Sequence, residues 1–173
     1  MIINTILETQ YSFDVIFIQE LSWVTICSIP SSKSEEEEAL VKVPNHPNWL
    51  TFSRNLLSAN DSPRVVTYIN IKLSSFHFYL CKDIYNHRDI SLISFFNNND
   101  IFFLINIYSD SSQSTLKYLK NTEVNISNIL VMTGNFNIKD NLWDSYYLHY
   151  SIHNDLLFDI ADSFFLELSV PTK

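Results

Sequence analysis

Short apolar runs, each of strand length and each stopped by a polar cluster, constrain this chain more than any other feature of its sequence. The first is Val15-Ile16-Phe17-Ile18. After a polar interval come Trp49 to Arg54, Val65 to Leu73, Phe76 to Cys81, Ile90 to Phe96 and Ile101 to Tyr108, and later Ile129 to Met132. Such spacing predicts antiparallel sheets. Helical spacing occurs in three places: Ile2, Ile3, Ile6 and Leu7; Ser114 to Glu123; and Leu156, Leu157, Ile160, Ala161 and Phe164, with Asn154 placed to cap the last. Helix, strand, many strands, helix, strand, helix predicts sheets packed together with helices outside, in one domain spanning 1–173.

Between Leu21 and Asn48 the apolar pattern dissolves, and the run Glu35-Glu36-Glu37-Glu38 predicts a solvated loop. A single glycine in 173 residues is unusual, since ordinary usage near ~7% would give about twelve. Asparagine, which tolerates left-handed backbone, is expected at the turns instead. With 46% hydrophobic residues the chain can bury a core and is not a disordered protein. Cys27 and Cys81 match no metal or disulfide spacing and read as small buried apolar residues in a reducing compartment. No apolar stretch is long enough to span a membrane and no signal peptide opens the chain, so the expected location is intracellular, nuclear or cytoplasmic. A net charge of −8 with 11 Lys and Arg argues against a tight, non-specific DNA grip. It still permits a small site where a cation neutralises phosphate.

Three strand ends carry groups suited to phosphoryl chemistry. The run Val131-Met132-Thr133-Gly134-Asn135-Phe136-Asn137 leaves a buried strand through the only glycine and then presents amides. Glu20 directly follows the strand at 15–18, and one or two carboxylates with water and phosphate commonly hold Mg²⁺. Tyr108 closes the strand that begins near Ile101, and its phenol can hydrogen-bond a phosphate. Read singly, these are a turn, a loop carboxylate and a rim aromatic; together they suit one chemistry.

The phrases DVIFIQE, LINIYSD and TGNFN, in that order, resemble the successive signatures of the endonuclease/exonuclease/phosphatase superfamily. The longer wording VPNHPNWLTFSR, FLINIYSD, LVMTGNFNI and HNDLLFDIADSF is similar to endonuclease domains of fungal LINE-type (non-LTR) retrotransposons, over nearly the whole chain. The resemblance implies an α/β fold, a four-layer α/β/β/α sandwich of two mostly antiparallel sheets (DNase-I-like), and Mg²⁺-dependent hydrolysis of DNA phosphodiester bonds. It places Mg²⁺ on Glu20, the scissile phosphate on Tyr108 and Asn137, and DNA as partner.

The family motif G-D-F-N supplies an Asp that orients or deprotonates the attacking water, and that position here is Asn135. An amide matches the carboxylate in shape but accepts no proton at neutral pH, and losing general-base help costs about 10²- to 10⁴-fold in rate. An opening strand and a closing S-D-H motif of the family have no counterpart, so the resemblance implies a copy truncated at both ends. None of His46, His77, His87, His149 or His153 stands in a motif that carries a catalytic role. The expectation is an endonuclease remnant, a pseudoenzyme that has lost cleavage. The alternatives are a weak residual phosphodiesterase or nuclease using Glu20, Tyr108 and Asn137, and a non-catalytic interaction module on the same scaffold.

Overall fold

Apolar runs become strands wherever a neighbouring run accepts their main-chain hydrogen bonds. The computed structural model describes residues 2–10, 12–20, 24–29, 38–54, 63–122, 126–138, 154–167 and 169. Among them the order is α1 (Ile2–Thr9), β1 (Val15–Gln19), β2 (Val24–Ile29), β3 (Glu38–Lys42), β4 (Trp49–Phe52) and β5 (Val65–Asn70). A 3-10 helix (Ile71–Phe76) precedes β6 (Tyr79–Leu80), β7 (Ile90–Asn97), β8 (Asp100–Tyr108), α2 (Ser114–Asn121), β9 (Ile129–Asn135) and α3 (Asn154–Ser163). The protein is mixed α/β, with a three-stranded sheet ordered β1-β5-β4 and a four-stranded sheet ordered β6-β7-β8-β9; β2 and β3 pair separately.

Alternation along the strands sorts side chains onto faces. In β8, Ile105 and Ile107 join Leu116 and Leu119 of α2 and Leu157 and Ile160 of α3 in one buried cluster. Leu104, on the opposite face, packs with Ile93 of β7 and Ile69 of β5, so the two sheets meet there. On the far face of the three-stranded sheet, Val66 and Tyr68 pack with Trp49 and with Leu7 of α1. Indole Nε1 of Trp49 donates to the Leu7 carbonyl at 2.9 Å, and the Tyr68 phenol donates to the Pro44 carbonyl at 2.8 Å. Both polar atoms inside that cluster are therefore satisfied.

The interval from Leu21 to Asn48 is not all loop: β2 and β3 form an antiparallel ribbon, and Glu38, expected in a solvated run, opens β3 opposite Ile29. Glu35, Glu36 and Glu37 lie outside the described residues, as do His149 and His153. Strand pairing is a main-chain property of two segments together, and reading side-chain alternation along one segment misses it. The strand expected over Val65 to Leu73 stops at Asn70, whose side-chain Oδ1 accepts the Lys72 amide at 3.1 Å and starts the 3-10 helix. The Phe76 to Cys81 run yields only the two-residue β6.

Among the described residues pairing is antiparallel except between β8 and β9, which run parallel because the α2 crossover returns the chain to the same end. Asn154 is the first residue of α3, but its buried side-chain oxygen and nitrogen have no hydrogen-bond partner, so it does not make the expected capping bond. Asparagine does replace glycine at turns: Asn98 (φ 57°) in the β7–β8 hairpin, Asn128 (φ 62°) and Asn137 (φ 49°) are left-handed. Gly134 serves another purpose. A Cβ there would stand 2.1 Å from the Ile107 carbonyl oxygen, so its lack of a side chain allows β9 to close on β8. Cys81 is buried and free. No helix among the described residues is long and apolar enough to cross a membrane.

Candidate functional site

Antiparallel pairing brings strand starts beside strand ends. Gln19, the last residue of β1, faces Val65, the first of β5; Ile90, the first of β7, faces Ile107 near the end of β8; and Tyr108 lies in register with Asn135 at the end of β9. One end of the paired sheets thus gathers Glu20, Arg64, Asp89, Tyr108, Asn135 and Asn137 from five separate parts of the chain. The sheets are tied together here by Asn106, a fully buried amide on the inter-sheet face of β8. Its Oδ1 accepts Gln19 Nε2 at 2.6 Å, and its Nδ2 donates to the Val66 carbonyl at 3.0 Å and the Ile18 carbonyl at 3.3 Å.

Tyr108 is the meeting point. Its phenol is held above the ordinary tyrosine pKa, first by a hydrogen bond with the Glu20 carboxylate, then by burial and the Glu20 charge; Arg64 and a hydrogen bond with Asn137 pull the other way. Glu20 is exposed and sits at φ 55°, a left-handed conformation that costs a non-glycine residue about 1 kcal/mol or more. Asn137 Nδ2 donates to the Ser109 carbonyl at 2.7 Å, and the Asn137 amide donates to Asn135 Oδ1 at 3.1 Å. The Ser109 amide donates to the Asn135 carbonyl at 2.8 Å, which locks the two strand ends together. Every residue singled out from the sequence therefore lies in one connected set.

Above the phenol ring lies a charge that the sequence reading did not select. The Arg64 guanidinium carbon is 4.1 Å from the Tyr108 ring centroid, within cation–π range. Its Nε donates to Asp89 Oδ1 at 2.7 Å and its Nη2 to Asp89 Oδ2 at 2.5 Å, a two-toothed pair with a buried carboxylate. That hydrogen bonding raises the Arg64 pKa despite partial burial, so the cation is permanent. The Tyr108 amide donates to the Asp89 carbonyl at 2.9 Å, so one residue holds both the arginine and the tyrosine backbone. Beyond Ser109, the Asp110 carboxylate accepts from the hydroxyl of Ser112 and from the amide and hydroxyl of Ser114, and these bonds, the Ser112 hydroxyl foremost, hold its pKa down against burial.

Arg64, Asp89 and Asn106 are not among the residues expected from the sequence, which all close or follow apolar runs. Two signals were available. Arg64 and Asp89 each stand directly before an apolar run, and Asn106 is a lone amide amid the apolar residues of LINIY, where burial demands partners. His87, to which no role was given, lies beside this end: its Nδ1 accepts the Asp89 amide at 3.2 Å and its ring packs on Tyr118 at 4.8 Å. Burial, with the charges of Arg88, Arg54 and Arg64, lowers its pKa against Asp89, so the imidazole is neutral at neutral pH.

Among the described residues no three His, Cys, Asp or Glu side chains converge as a metal-ligand group. For a divalent cation this end offers the Glu20 carboxylate and the amide oxygens of Asn135 and Asn137, hard oxygen donors of the kind that hold Mg²⁺ together with several waters. The set fits a largely hydrated ion and does not form a cage. No family model, curated protein or solved structure matches the chain.

Proposed function

We propose that this chain is a retrotransposon-type endonuclease/exonuclease/phosphatase domain, a four-layer α/β/β/α sandwich whose DNA-cleaving site persists without its water-activating carboxylate. The single observation that carries the reading is the convergence on the Tyr108 phenol of Glu20, Asn137 and, through Asn137, Asn135. The stacking of α1, the three-stranded sheet, the four-stranded sheet and the α2–α3 pair supports the sandwich.

In this reading the Tyr108 phenol and the Asn137 amide hold phosphate oxygens, and Arg64 offsets their charge from across the ring. Glu20 would hold Mg²⁺, which when bound neutralises charge on the phosphate. Asn135 stands where a carboxylate would orient water; its Oδ1 already accepts the Asn137 amide and cannot take a proton at neutral pH. Phosphate is bound and water is not activated.

The test is nicking of supercoiled plasmid with Mg²⁺. The natural protein is expected to leave the plasmid intact, Asn135→Asp to raise cleavage by about 10²-fold or more, and Glu20→Ala to abolish that gain. Nicking by the natural chain that disappears in Glu20→Ala would favour a residual nuclease. No gain in Asn135→Asp sinks the assembled-site reading.

A further inference from the structure

The chain has three arginines in all, Arg54, Arg64 and Arg88, and its net charge is −8. All three meet at one short loop. Arg54 Nη2 donates to Asn86 Oδ1, Arg64 forks onto Asp89, and Arg88 Nε lies 3.6 Å from Asp89 Oδ2. Each of the three acts electrostatically on His87, between Asn86 and Arg88. An acidic protein that draws its only guanidinium groups from positions 54, 64 and 88 to residues 86–89 has made a local field opposite to its overall charge.

We propose that Arg54, Arg64 and Arg88, held by the 86–89 loop, form a nucleic-acid backbone clamp that grips the phosphates flanking the one at Tyr108. This rests on the reading of Tyr108 as a phosphodiester site and adds where the rest of the polyanion lies. Guanidinium is the cation suited to the task, because its planar fork matches two phosphate oxygens at once. Arg64 uses only Nε and Nη2 for Asp89, so its Nη1 edge is outside that fork, and Asp89 fixes its direction. Arg88 is exposed and Arg54 is half-buried, one on the loop and one after β4. Against these three cations, the loop residues 86–89 themselves contribute one carboxylate, Asp89, which is buried. Of the nearby carboxylates, Asp110 is held by the Ser112 and Ser114 hydroxyls and its charge also acts on Arg64, while Glu20 engages the Tyr108 phenol. The arginines are therefore the backbone contacts, gathered at the 86–89 loop and joined to the phenol through Arg64 over the Tyr108 ring.

The experiment is fluorescence anisotropy of a short labelled DNA duplex with the full chain, from about 50 to about 200 mM NaCl, where each phosphate contact contributes roughly −0.9 to the slope of log affinity against log salt. Arg54→Gln with Arg88→Gln should flatten that slope by about two units and weaken low-salt binding at least about tenfold. Arg54→Lys with Arg88→Lys, which keeps the charge, should retain the slope. The Gln pair leaves Arg64 and its buried partner intact, and an unchanged urea midpoint separates lost contact from lost fold. No duplex binding by the natural chain, an unchanged slope in the Gln pair, or displacement of duplex by inorganic phosphate as effective as by unlabelled duplex overturns the clamp. Should the Gln pair lose binding while Asn135→Asp never nicks, the clamp stands and the hydrolase reading falls. Should Asn135→Asp nick with the same salt dependence in either background, the hydrolase reading stands and the clamp falls.

Discussion

The inter-sheet face of β8 reads Phe102, Leu104, Asn106, Tyr108, and its two ends hold the sheets together by opposite means. At the Phe102 end the contact is aromatic: Phe52 of β4 meets Phe78 edge-on at 6.4 Å, Phe78 tilts against Phe95 of β7 at 5.2 Å, and Phe95 stacks on Phe102 at 5.7 Å. At the Tyr108 end, some 20 Å away by strand rise, the contact is polar, through the buried Asn106 amide with Gln19 and Val66 and the Arg64–Asp89 fork. Aromatic packing is less directional than a hydrogen bond and tolerates adjustment. Buried hydrogen bonds fix positions to fractions of an ångström and are costly when one partner is lost. The end that carries the Tyr108 phenol is the one built from directional bonds.

Four changes sharpen or break that contrast. Gly134→Ala should act most strongly, because its Cβ meets the Ile107 carbonyl, a backbone atom that cannot swing aside. A loss of about 3 kcal/mol in urea unfolding is expected, with parting of β8 from β9. Asn106→Leu makes the polar end resemble the aromatic one; removing the partner of Gln19 Nε2 and the Ile18 and Val66 carbonyls should cost about 2 kcal/mol. Equal or greater stability in that variant would show that the bonds at this end are not what holds it. Phe95→Ala deletes the central ring of the other end and should cost about 2 kcal/mol, less than a fully buried ring because Phe95 is only partly covered. Phosphate binding should survive it.

The smallest effect concerns two buried tyrosines that restate the contrast at single residues. The Tyr68 phenol is bonded to Pro44, whereas the Tyr85 hydroxyl is buried without a partner. Burial, with Tyr118 adding to it, pushes the Tyr85 pKa up to about 12. The fold favours the protonated phenol, so its contribution is complete below the unfolded pKa near ~10 and is lost as pH rises through about 12. Urea midpoints should fall between about pH 10 and 12, by up to ~1.4 kcal/mol per pH unit for this one group. Tyr85→Phe should reduce that fall and add up to about 1 kcal/mol at neutral pH, since it deletes an unsatisfied hydroxyl.

Much of the fold was legible because apolar runs of strand length announce themselves: β1, β4, β5, β7, β8 and β9 all fall within or over the runs that predicted them. The β2–β3 ribbon did not, because each segment lacks the alternation that marks a strand alone. The candidate site divided in the same way. Glu20, Tyr108, Asn135 and Asn137 were legible as polar groups leaving apolar strands, while Arg64 and Asp89 sit before strands and acquire meaning only when an antiparallel partner brings them alongside.

What the sequence determined by itself is local: which apolar runs are strands or helices, that asparagine takes over left-handed turns, and that the position after Gly134 holds an amide and not a carboxylate. Those follow from side-chain chemistry within a few residues of each position. Tertiary structure decided which strand ends share an edge, that β8 and β9 run parallel, that Gly134 is there for a neighbouring carbonyl, and that three arginines gather at residues 86–89. Each depends on pairing between segments remote in sequence, set by strand register and by which faces find a partner to bury.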